Sequence, residues 1–239
     1  MKNLNLTLTL VFALSMTACA KDPSKDAPKA QVGEAVVAAQ GEAPAAAPAL
    51  SAVVDEAPKA AAPPTSKGPT ARKVVDLTGT IGFVGSKVSG SHGGVFQEWS
   101  GGVLLGETLE TAKLSFEVQV ASVFSDPDER SPWSEKLDKH FINEDFFHAD
   151  KFPTATFFSK KIAKGAEGDA THTISGDLTM RGLTRPVSFP ATVSLTDIEV
   201  KAKAEFTINR KEWGIVYKGK PDDLIRDGVV LKIDLTGVR

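Results

Sequence analysis

The chain has 239 residues, of which 28 are Lys or Arg and 30 are Asp or Glu, so the formal net charge is -2 at neutral pH. This balance argues against nucleic-acid binding, because that function usually needs a concentrated basic surface. The single cysteine, Cys19, excludes an intramolecular disulfide, so the fold must depend on its apolar core.

The first 18 residues have the pattern of a secretory signal peptide. An apolar run covers residues 4–16, and small residues then precede Cys19. The run is shorter than the ~20 apolar residues that a membrane-spanning helix needs. A cysteine in this place resembles a bacterial lipobox, so we expect Cys19 to be lipidated, with ordinary cleavage nearby as the alternative. Ala20, rather than Asp, follows it, which predicts a lipid-anchored periplasmic protein at the outer membrane.

Residues 19–70 are predicted to form a disordered tether. They are rich in Ala and Pro, as in A-P-A-A-A-P at 43–48 and A-A-A-P-P at 60–64. Such a composition lacks the aromatic and large aliphatic side chains that offset the entropy lost when a chain becomes ordered. Removing residues 24–68 should therefore leave the unfolding midpoint almost unchanged.

Residues 71–239 form one predicted domain that consists mostly of strands. Apolar and polar residues alternate most cleanly in residues 114–120 and across the hairpin 173–193, where Gly182 marks the reversal of the chain. Counted in chain order, eight strands are predicted at 74–84, 92–105, 114–120, 154–162, 173–180, 187–193, 199–208 and 228–236.

One short helix is expected between the third and fourth strands. Ser131 and Pro132 suit its N-cap and first position, and Trp133, Leu137 and Phe141 follow at four-residue spacing, which indicates an apolar face. Phenylalanines crowd the segment after the helix, and we expect them to seal one end of the domain.

The predicted fold is all-β: an eight-stranded antiparallel, lipocalin-like β-barrel with one short helix. The interior of such a barrel is either filled by side chains or holds one small ligand. Periodicity alone favours a filled core. The side chains that the alternation directs inward are Phe116, Val118, Val120, Leu178, Met180, Val193, Phe206, Ile208, Leu231 and Ile233.

Three ordered blocks of sequence carry a resemblance to a known family. They are D-F-F-H-A-D-K-F-P-T-A-T-F at 145–157, G-D-L-T-M-R-G-L-T-R-P-V at 176–187 and F-T-I-N-R-K-E-W-G-I at 206–215. Together they resemble the signature of the YceI-like family of periplasmic, polyisoprenoid-binding proteins. His148 and Phe152 replace the usual acid and tyrosine of the first block, and the chain reads D-L-T-G-T after Val75, where D-x-x-H-S is usual.

The resemblance implies a non-enzymatic protein that binds, transports or sequesters an apolar isoprenoid-type lipid in the cell envelope, without a cofactor. It favours a cavity over a filled core, with the inward side chains as the ligand-binding set. Arg181 and Arg185, which flank the turn of the central hairpin, and Arg210 are candidates for contact with an anionic head group at the barrel mouth, although arginines at turns are usually only solvated. The assembly state is left open, with a homodimer among the options.

Two other classes of function stay open. The chain has no recognised catalytic motif, and its histidines lack the spacing of metal ligands, so we expect neither a catalytic nor a metal site. A histidine beside a carboxylate at the mouth would nevertheless favour a hydrolase or isomerase. An interior without a void would favour a scaffold that binds protein partners. The histidines are His92, His140, His148 and His172.

Overall fold

The computed structural model describes residues 21–36, 73–166 and 168–239. This part of the chain is mostly β-structure with one α-helix, α1 (Pro132–Phe141). None of its helices has the length and hydropathy needed to cross a bilayer. The strands are β1 (Gln31–Val32), β2 (Lys73–Asp76), β3 (Thr78–Ser86), β4 (Ser91–Phe96), β5 (Trp99–Leu105), β6 (Lys113–Gln119), β7 (Val123–Ser125), β8 (Thr154–Lys164), β9 (His172–Met180), β10 (Leu183–Leu195), β11 (Glu199–Asn209), β12 (Gly219–Lys220), β13 (Asp223–Leu224) and β14 (Gly228–Val238).

One large antiparallel sheet dominates the fold. Its strands follow the order β2-β5-β6-β8-β9-β10-β11-β14-β3-β4-β7, and β1 is added beside β10, while β12 and β13 form a separate hairpin. Only Leu77 separates β2, at one end of this order, from β3, at the ninth place. The sheet must therefore curl strongly to bring these strands together.

The prediction of a mostly β fold with one short helix is confirmed, but the predicted count of eight strands is not. Two expected strands are each interrupted, at Leu77, whose N–H donates to the carbonyl of Gly101 at 3.0 Å, and at residues 97–98. A third, predicted at 114–120, ends at Gln119 in the 3-10 turn Val120–Ser122, and the short strand β7 that follows this turn was not predicted.

The central hairpin is formed by β9 and β10, which pair from Met180 with Leu183 to His172 with Ala191. Its two-residue turn, Arg181 and Gly182, has φ values of 49° and 71°. Positive φ at both positions is what a turn that continues the twist of the strands requires, and glycine adopts it without steric cost. The glycine that marked the turn in the sequence therefore lies where the chain reverses.

Helix α1 covers one end of the curled sheet. Ser131 caps its N-terminus in a reciprocal arrangement with Ser134. Leu137 and Phe141 face the interior, whereas Trp133 is 75% exposed and lies under the ammonium of Lys136 at 4.5 Å. The expectation that Trp133 belongs to the buried face is thus wrong, because the buried side chain in the first turn of the helix is Ser134.

Residues 21–36, here called the strap, are packed on the curled sheet, which corrects the predicted disorder of residues 19–70 for this part. The backbone of Thr207 accepts a hydrogen bond from Ala30 at 2.9 Å and donates one to the carbonyl of Pro28 at 2.7 Å. Ser24 is buried, and its carbonyl accepts a hydrogen bond from the hydroxyl of Thr207. The rest of the predicted tether, residues 19–20 and 37–70, and the predicted signal peptide lie outside the described residues.

Deleting residues 24–68 is therefore expected to lower the melting temperature instead of leaving it unchanged. A loss of about 2 kcal/mol from the strap's hydrogen bonds and packing would shift the Tm of a domain of this size by about 4 to 8 °C. Differential scanning calorimetry measures the shift. Deletion of residues 43–64 alone is the control, and an equal Tm in all three proteins would contradict packing by the strap.

Candidate functional site

The curled sheet encloses a cavity of about 380 Å³. The cavity lies toward the end of the sheet where the β3–β4 turn, α1 and residues 210–225 are found, and we call this end the mouth. The opposite, closed end is filled by tightly packed apolar side chains, among them Val75, Leu105, Ala112, Ile174, Val200 and Leu235. The interior thus has two parts, a cavity near the mouth and a solid apolar core at the closed end, here called the floor. The sequence left a cavity and a filled core open as alternatives, and the interior contains both.

Eight of the ten inward side chains inferred from the sequence line this cavity: Phe116, Val118, Leu178, Met180, Phe206, Ile208, Leu231 and Ile233. The other two do not. Val193 is buried in the floor, because it lies near the end of β10 that is remote from the mouth. Val120 is buried in the 3-10 turn between β6 and β7, where the strand alternation no longer applies.

Aromatic rings from several elements complete the wall. Phe116 stacks on Phe157 with 5.3 Å between ring centroids, and Phe189 stacks on Phe206 at 4.0 Å with an interplanar angle of 7°. Near α1, the ring of Phe141 meets three others edge-on or tilted. Phe141, Phe146, Phe147 and Phe157, which line the cavity, belong to the phenylalanine-rich segment that was expected to seal one end of the domain, whereas no sequence signal singled out Phe83 or Phe96.

The arginines of the central hairpin do not line the cavity. Arg181 donates through its guanidinium to the carbonyl of Glu144 at 3.0 Å and to that of Phe146. Arg185 forms an ion pair with Glu212 at 3.1 Å and donates to the carbonyl of Gly33 at 3.1 Å. Both side chains therefore hold neighbouring segments together instead of standing free at the mouth.

Arg210, expected at an exposed turn, is 3% exposed and lines the cavity. Its guanidinium donates to the carbonyls of Ile215 at 2.6 Å, Arg226 at 3.0 Å and Ile225 at 3.2 Å. Burial lowers the pKa of Arg210, and the nearby carboxylate of Asp227 opposes that shift. These hydrogen bonds hold the segment that follows β11 in place over the mouth.

A second contact closes the mouth from the other side. Lys87, in the β3–β4 turn, forms an ion pair with Asp223 of β13 at 2.5 Å. The N–H and hydroxyl of Ser89 also donate to that carboxylate, at 3.0 and 2.9 Å. The ammonium of Lys87 and these donors lower the pKa of Asp223 to about 2. We call this contact the mouth latch.

The mouth latch is expected to resist acid. A carboxyl group whose pKa is lowered on folding stabilises the fold above its unfolded pKa, and that contribution is lost as the pH falls through the folded value. Carboxyl-detected NMR should give Asp223 a midpoint near the pKa of about 2. Lys87→Ala should raise the midpoint toward the ordinary value, and a midpoint that is the same in both proteins would show that Lys87 does not cause the shift.

Two histidines that line the cavity each bond to a carboxylate. The Nδ1 atom of His92 lies 2.9 Å from Asp126, and the Nε2 atom of His140 lies 3.1 Å from Asp145. The other ring contacts of His140 are edge-on packing against two aromatic rings. Within the described residues, neither histidine hydrogen-bonds to a hydroxyl or thiol that a histidine base would activate.

The remaining histidines stand apart from the cavity lining. His172 is buried near the closed end, with its Nδ1 atom 2.8 Å from the hydroxyl of Thr171, and His148 packs edge-on against Phe152. In residues 21–36, 73–166 and 168–239, no group of three or more His, Cys, Asp or Glu side chains is placed to hold a metal ion. Cys19, the predicted lipid attachment site, lies outside these ranges.

A strongly curled antiparallel sheet around an apolar, ligand-sized cavity places the protein in the class of β-proteins that can take up one small hydrophobic molecule. Comparison of the sequence with protein-family models identifies residues 73–237 as a YceI-like domain. The chain belongs to this family.

Relatives and a solved structure agree with the assignment. A UPF0312 protein of Pseudomonas fluorescens (strain SBW25) is 30% identical over 176 residues, 69% of this chain and 85% of the relative. A UPF0312 protein of Pseudomonas putida is 34% identical over 123 residues, 49% of this chain and 59% of the relative. The crystal structure of Burkholderia cenocepacia BcnA has a TM-score of 0.55 at 22% identity and covers 66% of this chain and 94% of its own, which shows a shared fold.

Proposed function

We propose that this protein binds an apolar, isoprenoid-type lipid in the cavity and carries or sequesters it in the cell envelope without catalysis. The observation that carries the proposal is the cavity of about 380 Å³, whose wall consists mainly of aliphatic and aromatic side chains. That volume lies in the range of about 300 to 1,000 Å³ in which protein pockets hold small ligands. The interior void counts against the solid scaffold.

The sheet is proposed to work as a closed, lipocalin-like barrel. β3 pairs with β14 on one side and β4 on the other, and β2 pairs with β5. Since β2, at one end of the strand order, runs into β3 through Leu77 alone, the wall would close on itself at this residue. A closed wall would separate a bound alkyl chain from water on every side except the mouth.

The chemistry of the wall favours an amphiphile with a long apolar part. Each buried CH₂ group contributes about 0.8 kcal/mol, so ten such groups would supply ~8 kcal/mol before the entropy cost of binding. Ser86 favours a ligand whose polar end lies at the mouth. Its buried hydroxyl lines the cavity and has no hydrogen-bond partner in the described part of the chain.

Native mass spectrometry of the purified protein, followed by solvent extraction, tests the proposal. We expect a bound mass that dissociates as an apolar lipid, and saturable binding of the hydrophobic fluorophore N-phenyl-1-naphthylamine after extraction. The same spectra distinguish a monomer from a homodimer. Absence of both the lipid and saturable probe binding would refute the carrier function.

The location in the cell is part of the proposal. The signal-peptide pattern and the position of Cys19 support a periplasmic protein that is lipid-anchored at the outer membrane. Cys19→Ser should move the protein from the membrane fraction to the soluble periplasmic fraction. A wild-type protein that is soluble and lacks an acyl mass increment would contradict the anchor.

The pairing of His140 with Asp145 supports a second candidate, a hydrolase or isomerase that acts on the bound molecule. A histidine base oriented by a carboxylate is a common catalytic arrangement. His140→Ala and His92→Ala discriminate between the two functions. A carrier should release unchanged lipid from all three proteins, whereas an enzyme should accumulate intact substrate only when the histidine is removed.

A further inference from the structure

The wall of the sheet divides between β10 and β11. These strands pair only from Thr192 with Lys203 to Leu195 with Val200, near the closed end. Toward the mouth, β10 continues its pairing with β9, and β11 continues its pairing with β14 as far as Asn209. The two strands therefore separate and leave a seam in the upper half of the wall.

The strap fills this seam as an additional strand. On the β11 side, its backbone bonds to both the N–H and the carbonyl of Thr207. On the β10 side, Gln31 and Val32 pair with Ser188 and Val187, and the N–H of Gly33 donates to the carbonyl of Pro186 at 2.8 Å. The strap thus replaces the direct β10–β11 ladder where that ladder is missing.

The cavity lies directly behind the seam. Val187 and Phe189 of β10 and Phe206 and Ile208 of β11 all line it. Phe189 and Phe206 are the ring pair that stacks at 4.0 Å across the seam. In this part of the wall, therefore, the strap and this pair of rings connect β10 with β11. They also separate the cavity from the outside.

The strap is attached more weakly than the strands beside it. Its strand β1 has two residues, whereas β9 and β10 pair along nine. Ala30 and Val32 are the strap's side chains that pack against the core. The strap also lies outside residues 73–237, which form the family domain. Segments with few buried apolar contacts open locally without unfolding the rest of a protein.

We infer that the strap is a removable wall of the ligand cavity and that apolar ligands enter and leave sideways, between β10 and β11. The inference rests on the proposed ligand-binding function. A chain entering at the mouth would pass the ion pair of Lys87 with Asp223 and the buried cation of Arg210. A chain entering at the seam meets the phenylalanine rings and aliphatic side chains of β10 and β11 that line the cavity. Arg185, which bonds to the strap at the carbonyl of Gly33, is also paired with Glu212 and keeps this counter-charge when the strap opens.

A reversible disulfide across the seam tests this route. In a Cys19→Ser background, Gln31→Cys and Ser188→Cys place two thiols on directly paired positions of β1 and β10. Such pairs have Cα distances of about 4.5 to 5.5 Å, within the range that a disulfide bridges. Neither residue lines the cavity. Stopped-flow mixing with N-phenyl-1-naphthylamine measures association and dissociation rates.

We expect oxidation to slow both rates at least tenfold, with little change in Kd, and reduction by dithiothreitol to restore them. Thr192→Cys with Lys203→Cys is the matched control, because it joins β10 to β11 below the seam and leaves the strap free. Its rates should not depend on oxidation. Equal rates for the oxidised and reduced seam variant would overturn the inference and assign entry to the mouth.

Gly33→Val tests the opposite change, a weaker attachment of the strap. A Cβ atom at residue 33 would lie 2.6 Å from a ring carbon of Pro186, too close for the strap to keep its place. Association should become at least threefold faster, and an unchanged rate would count against the strap as a barrier.

Hydrogen exchange distinguishes a strap that does not open from a cavity that does not bind a ligand. Without ligand, the amides of Ala30, Gly33 and Val36 should exchange at least 100-fold faster than those of the β9–β10 ladder. Exchange at equal rates would overturn the removable wall even if the probe binds. Fast strap exchange together with no saturable probe binding would refute the carrier function and, with it, the proposed ligand route.

Discussion

Replacing Val118 with glutamate is expected to raise the Kd for N-phenyl-1-naphthylamine at least 100-fold and to abolish co-purification of lipid. Val118 is 3% exposed, lines the cavity and lies on β6 between partners on β5 and β8. A carboxylate at this position must lose its hydration or draw water into the cavity, and an alkyl ligand compensates neither. Fluorescence titration measures the Kd, and circular dichroism verifies the fold.

Two further variants separate the effects of charge, volume and general disturbance. Ser115→Glu places the same charge on the outward side of β6, where Glu117 already stands, and should bind the probe like the wild type. Ala155→Phe fills part of the cavity with an apolar ring and should weaken binding about tenfold without adding charge. Folded Val118→Glu protein that binds the probe normally would place the ligand elsewhere.

Replacing Arg210 with alanine is expected to lower the free energy of unfolding by roughly 3 to 5 kcal/mol, because each of the three carbonyls around it loses its donor and a buried acceptor left unsatisfied costs about 1 to 3 kcal/mol. The substitution leaves three carbonyls without their common donor and Asp227 without its buried cation. Arg210→Lys should recover only part of this loss, because a single ammonium cannot reach three acceptors in a planar fork. Urea denaturation gives the values.

Lys211→Ala is the matched control for Arg210. Its ammonium pairs with the same carboxylate of Asp227 at 2.8 Å, but on the surface. An exposed ion pair of this kind contributes about 0 to 1 kcal/mol. If both alanine variants lost equal stability, the carbonyl network of Arg210 would not be the source of its effect.

Eight side chains of the cavity wall could be predicted from the sequence because strand alternation is a local property. Leu178 and Met180 on β9, and Leu231 and Ile233 on β14, follow from period-two patterns alone. The pattern does not show how far from the mouth a residue lies, so it placed Val193, which is in the floor, among the residues of the cavity wall. It also failed at Val120, where the strand turns.

The burial of Arg210 and the packing of the strap could not be predicted, since both depend on tertiary contacts that no local pattern shows. The carbonyls around Arg210 come from segments that fold back over the mouth after β11. The strap is ordered because β10 and β11 separate and leave strand edges to which it can hydrogen-bond. Its own Ala- and Pro-rich composition contains no information about those edges, so the composition predicted disorder.

The position of the strap also determines how far the barrel can stand from whatever holds residue 19. Asp22 lies 3.7 Å from Arg226, whose N–H donates to the carbonyl of Ser86 beside the mouth. Two residues lie between Cys19 and Asp22, so three steps of about 3.3 to 3.6 Å would keep Asp22 within ~11 Å of an acyl anchor at Cys19. In the proposed lipid-anchored protein, this short connection would turn the mouth, and not the closed end, toward the membrane.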